Sequence, residues 1–305
     1  MSNELENQQL DPTNKGVQWY FHPIEKIRML RYFQLNMKFD NTDDYTVNYN
    51  NSPTIGVVIE TTGNISYTEL QLHFLKNINH ISNILIYDNC LNNKSQLEQM
   101  SKDYNVDLYI TQNKLYNNPT IGNLSNIDCI YQGLLWANSK NIDILVKLND
   151  TLIPYYNWTE HLIQLAIESN ASTFNSYCEK DQENFRIDCI GLNVNIWTKS
   201  YPLQSLLWTI ENQYIVYPQF WLHELCKTLS GNNYSQKWKE YCNNYNAGYL
   251  HSGYAVWQDI LGINKYTNKN RNEKVLYHLY SKKEDYLNIS KILFGNKYIL
   301  QDFNV

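Results

Sequence analysis

Three groups of residues in this chain could hold a polar ligand, and each stands where an apolar run breaks off. Thr61 and Thr62 close TIGVVIETT, Asp88 closes NILIYDN, and Asn149, Asp150 and Thr151 interrupt NIDILVKLNDTLIPY between Asn141 and Tyr155. Carboxylates supply hard oxygen ligands for a cation, while hydroxyl and amide groups bond to a ribose, a sugar or a diphosphate. Asn, Asp, Thr and Pro also form turns and cap helices, so one such group alone would be unremarkable. Their recurrence at three successive run ends points to a ligand site.

Those groups need strands to carry them to one place. TIGVVIETT, NILIYDN, VDLYITQN and DILVKLN read as buried β-strands. Between them, Tyr67 to Ile81, the stretch LNNKSQLEQMSKDYN and Leu124 to Ala137 read as helices, the first with Leu70, Phe74, Leu75 and Ile78 at helical spacing. Strands alternating with helices imply right-handed crossovers and a mainly parallel sheet. The C-terminal strand ends then share one edge, where Thr61, Asp88 and the Asn149–Thr151 cluster converge.

The remainder of the chain is less regular. Residues 1–53 divide into a polar tail, an amphipathic helix (IEKIRMLRYFQLNMKF) and a polar linker, and residues 54–305 form the main domain. Trp158 to Glu168 reads as a helix, CIGLNVNIWTK as one or two strands, and Pro202 to Leu229 as aromatic and apolar. YNAGYLHSGYAVWQD gathers His251, Trp257 and Asp259, with Tyr249 and Tyr254 available as an acceptor platform or as packing. KVLYHLYS reads as a strand and Glu284 to Tyr298 as a helix.

Composition narrows the function classes. The net charge is −5 and no Lys/Arg block exceeds a pair, which disfavours a nucleic-acid backbone as partner. No apolar run approaches the ~20 residues that span a bilayer. The N-terminal stretch MSNELENQQLDPTNKG lacks the basic start and apolar core of a secretory signal, so a cytoplasmic protein is expected. The six cysteines are scattered without a C-x-x-C pair and read as reduced, mostly buried thiols.

The order of these elements resembles the nucleotide-binding half of GT-A fold glycosyltransferases, nearest in layout to the large inverting family 2-type enzymes. The resemblance is carried by TIGVVIETT, LIYDN, the helix from Leu124, DILVKLNDTLIP and the ending HLYSKKEDYLNISKILFGNKY, from Thr54 to Tyr298. It implies a Rossmann-like, mainly parallel sheet flanked by helices, with an N-terminal helical extension and an irregular C-terminal acceptor region. It further implies a nucleoside-diphosphate sugar donor, with UDP the commonest nucleotide, and a hydroxyl acceptor on a glycan, protein or small molecule. Asp88 would contact the nucleoside, and Thr61 and Thr62 would border the base. Asn149, Asp150 and Thr151 would lie along the diphosphate. Asp259 would be the base that deprotonates the acceptor, and Asp150 with His278 would hold Mn²⁺ or Mg²⁺.

One departure from the pattern matters. LNDTLIP puts Asn149 and Thr151 where the D-x-D motif has its two metal-binding carboxylates, with Asp150 between them. An amide and a hydroxyl are poorer ligands for a hard cation than two anions. Three readings follow: Asp150 ligates with His278 in a shifted register, the enzyme works without metal, or catalysis is lost and the chain binds a sugar nucleotide or glycan or serves as a structural subunit. A sugar-phosphate nucleotidyltransferase would want a Gly-rich basic loop that ETTGNISY lacks. The Asn-, Ile- and Tyr-rich usage suggests an AT-rich genome and admits a viral or phage enzyme that glycosylates DNA bases in a host cytoplasm, although the acidic balance opposes a duplex acceptor.

Overall fold

The computed structural model describes residues 49, 52–61, 65–76, 78–88, 93–111, 123–150, 152–154, 158–169, 172–175, 189–199, 201–211, 222, 234–235 and 249–251. The expected N-terminal helix, the KVLYHLYS strand and the helix from Glu284 lie outside these residues, as do Thr62, Thr151, Asp259 and His278.

Four strands build the centre: β1 (Ile55–Thr61), β2 (Ile81–Asp88), β3 (Asp107–Ile110) and β4 (Ile144–Asn149). All pair in parallel, in the spatial order β3-β2-β1-β4. Every residue of β1 is buried, as befits a strand covered on both faces. The sheet continues through β7 (Cys189–Asn193), antiparallel to β4, then β6 (Thr173–Asn175) and β8 (Tyr234–Ser235). The Rossmann-like, mainly parallel sheet flanked by helices expected from the sequence is therefore present.

Side-chain alternation along the strands divides the core in two. On one face Ile55, Val57, Ile59, Ile84, Ile86, Ile144, Val146 and Leu148 pack under α1 (Ile65–Leu75), α2 (Lys94–Asp103) and α4 (Trp158–Ser169). Tyr49, within the stretch read as a linker, packs against this cluster. On the other face Val58, Leu85, Tyr87 and Leu145 pack under α3 (Asn123–Ser139), α5 (Val194–Lys199) and α6 (Tyr201–Glu211). Helix α3 closes onto the sheet at Gly133, where a Cβ would stand 3.1 Å from both Leu145 Cδ2 and Val58 Cγ1.

Two expectations about element extent are corrected. The first helix ends at Leu75 rather than Ile81, because the chain turns through His80 at φ 68° and Ile81 already pairs with Ile55 in the sheet. The segment VNIWTK is helical rather than extended. Asn193 Oδ1 accepts the Ile196 N–H at 3.0 Å, capping the helix, and Thr198 Oγ1 donates back to the Val194 carbonyl at 2.8 Å.

A hydrogen bond buried under α3 fixes that helix against β2. The Tyr87 hydroxyl donates to Asp128 Oδ2 at 2.6 Å, Gln132 Nε2 donates to Asp128 Oδ1 at 3.1 Å, and Tyr109 stacks on Tyr87 with centroids 5.6 Å apart. Tyr87→Phe is expected to cost about 2 kcal/mol, in the range for a buried bond to a charged group. A urea midpoint unchanged from the parent protein would refute this.

Candidate functional site

Strand order selects the edge at which a ligand would bind. β2 and β3 extend the sheet to one side of β1 through crossovers on one face, whereas β4 adds on the other side after α3 has crossed the opposite face. The order reverses between β1 and β4, and in open α/β sheets the crevice beyond the C-terminal strand ends at such a point receives the ligand.

Of the residues singled out from the sequence, Thr61, Asp88, Asn149 and Asp150 are described, and all four lie at this edge. Thr61 and Asp88 are register partners at the ends of β1 and β2. Asn149 pairs with Glu60 at the end of β4, and the Asp150 N–H donates to the Glu60 carbonyl at 3.2 Å. Thr111, just past β3, donates its N–H to the Asp88 carbonyl at 3.1 Å. Thr61, Asp88 and Asp150 are all buried. The edge thus brings two carboxylates and a hydroxyl-bearing residue together in the outermost register of three adjacent strands.

Asn149 turns elsewhere. By alternation its side chain shares a face with Lys147, Glu60 and Tyr87, opposite to that of Thr61 and Asp88. There it meets a buried ionic network that the sequence reading missed. The fully buried Lys147 ammonium lies 2.6 Å from Glu60 Oε2 and donates to Asn126 Oδ1 at 3.1 Å and to Asn149 Oδ1. Ser125 Oγ donates to Glu60 Oε1 at 3.1 Å, so α3 supplies both ends of the network with polar partners. A signal was present in the sequence: GVVIE and ILVKL each put one charge in an otherwise apolar run, with opposite signs. A buried charge requires such a partner.

The second half of the chain reaches the same edge. β5 (Leu152–Pro154) begins two residues after Asp150 and pairs antiparallel with β9 (Tyr249–His251), His251 standing opposite Leu152. Cys129 lies under the network, where burial first and Glu60 second push its thiol well above the ordinary range. Both effects disfavour its thiolate.

The donor set at the end of β4 does not fit a two-carboxylate metal clamp. An ammonium only donates, so the atom Asn149 presents to Lys147 is its oxygen. Within the described residues of the β4 end itself, 148–150, Asp150 alone carries a carboxylate. Among the described residues no cluster of three or more His, Cys, Asp and Glu side chains is arranged to hold a metal. No helix among them is long and apolar enough to cross a membrane.

No family model matches the chain, and no curated protein matches it. Among solved structures it is similar to the glycosyltransferase GlyE of Streptococcus pneumoniae TIGR4, with 14% identity over 79% of this chain and 63% of that one and a TM-score of 0.45. It is also similar to a cytidylyltransferase from Leptospira borgpetersenii serovar Hardjo-bovis, with 13% identity over 81% and 99% of the two chains and a TM-score of 0.38. A third likeness is to glucosyl-3-phosphoglycerate synthase of Mycobacterium tuberculosis, solved with Mn²⁺, UDP and glucosyl-3-phosphoglycerate, with 11% identity over 55% and 68% and a TM-score of 0.35. The chain spans 63% of the length of the GlyE structure.

Proposed function

We propose that the domain from residue 54 onward is a glycosyltransferase that moves a sugar from a nucleoside-diphosphate donor, UDP-linked in the first instance, to a hydroxyl acceptor. The observation that carries this reading is the convergence of Thr61, Asp88 and Asp150 where the strand order reverses. In this reading Asp88 bonds the nucleoside, Thr61 and Thr62 border the base, and Asp150 and Thr151 lie along the diphosphate. Asp259 takes the acceptor proton as that oxygen attacks the anomeric carbon with inversion, and the diphosphate leaves with the bonding electron pair. Asp150 and His278 would hold a divalent cation, which when bound offsets the charge of the departing diphosphate. Positioning by the strand ends supplies the rest of the catalysis.

The test is to incubate the protein with a panel of UDP- and GDP-sugars, with and without MnCl₂, and follow sugar release alongside the melting temperature. Slow hydrolysis of at least one donor, with stabilisation by its free nucleoside diphosphate, is the expected result. No release and no thermal shift with any donor would sink the proposal. Stabilisation without release would favour a second reading, a sugar-nucleotide-binding protein without turnover. That reading draws on Asn149, whose side-chain oxygen is engaged by Lys147 where the GT-A resemblance places a ligand carboxylate.

A further inference from the structure

We infer that Asn149 is a clamp and not a ligand, and that Lys147 and Gln71 are positioning residues holding the end of β4 through it. This rests on the proposed donor site only for its catalytic consequence. Both oxygens of Asn149 are engaged from within the fold, from opposite faces of the sheet. Lys147 donates to the side-chain Oδ1 on the α3 face, and Gln71 Nε2 of α1 donates to the main-chain carbonyl at 2.8 Å. The next residue is held as well, through the Asp150 N–H bond to Glu60. Two main-chain bonds from neighbouring elements, to Gln71 of α1 and Glu60 of β1, and one side-chain bond from Lys147 of β4 itself therefore hold the segment from which the Asp150 carboxylate projects. The ammonium has Glu60, Asn126 and Asn149 among its partners.

A weakened metal site would regain strength if Asn149 were restored to aspartate. A clamp would not, because the new carboxylate would stay on Lys147 and turn away from the edge.

Asn149→Asp decides between the two. Mn²⁺ binding is titrated by electron paramagnetic resonance on the 305-residue chain, with and without UDP. The clamp predicts an affinity within threefold of the parent, including the case in which neither protein binds Mn²⁺. A gain of more than threefold overturns it.

A second measurement reads the contact itself. Glu60→Gln should lower the melting temperature by removing the counter-charge of Lys147. Adding Asn149→Asp to that variant should restore at least half of the loss, because the new carboxylate takes over the ammonium. Failure to restore overturns the contact. If Glu60→Gln alone does not fold, recovery of a folded double variant is the same rescue, and its absence counts against the clamp. Neither measurement uses turnover, so the clamp can stand while the glycosyltransferase proposal fails, and the reverse.

Discussion

Lys147→Met is expected to cost about 3–5 kcal/mol of folding stability, enough to unfold a domain of ordinary stability under mild denaturant. The methionine fills nearly the same volume but leaves the buried Glu60 carboxylate without its ammonium 2.6 Å away, and leaves the Asn126 and Asn149 oxygens without their donor. The loss arises from the stranded charge more than from the missing attraction. Glu60→Gln combined with Lys147→Met should therefore be less damaging than Lys147→Met alone, since the double variant buries no unpaired charge. Urea midpoints of the parent, the two single variants and the double variant provide the cycle. If the double variant is as unstable as the sum of the singles, the pair is not coupled and the buried-network account is wrong.

The second large effect is on turnover. Asp150→Asn is expected to lower kcat/KM for the donor about 100-fold, the scale seen when one preorganised electrostatic group is removed from a reacting centre. The exchange keeps the shape of the side chain and the backbone bond to Glu60. A contrasting variant lies at the other end of the same strand. Asp143 accepts from both the N–H and the hydroxyl of Thr54, at 2.8 and 2.9 Å, far from the proposed donor. Asp143→Ala should lower stability and leave kcat/KM within about threefold, since surface hydrogen bonds contribute on the order of 1 kcal/mol to folding. Equal losses of turnover in the two variants would mean that Asp150 has no special part in the chemistry.

The alternation of strands and helices was legible in the sequence from Thr54 to Thr159 because each strand there is short, β-branched and bounded by polar turns. Parallel pairing and the shared edge followed from connectivity alone. Three features were less legible. VNIWTK contains three β-branched residues and a tryptophan, so local preference favoured a strand, and only the Asn193 cap and the packing of Trp197 make it a helix. Helix α6 lay in an apolar stretch whose length alone could not separate helix from strand. The network under α3 joins Glu60, Ser125, Asn126, Lys147 and Asn149, which are brought together only by β1–β4 pairing and the docking of α3. Grouping Asn149 with Asp150 as neighbours in sequence missed the alternation that sends successive strand residues to opposite faces.

The pairing of β5 with β9 sets an order on synthesis. Strands β1 to β4 and helices α1 to α3 leave the ribosome long before Tyr249 does, and a nascent chain can begin to consolidate what has emerged. The corner beside Asp150 must wait for residues translated almost a hundred positions later. A truncated polypeptide lacking β9 would thus keep most of the central sheet and never complete the flank of the proposed donor site.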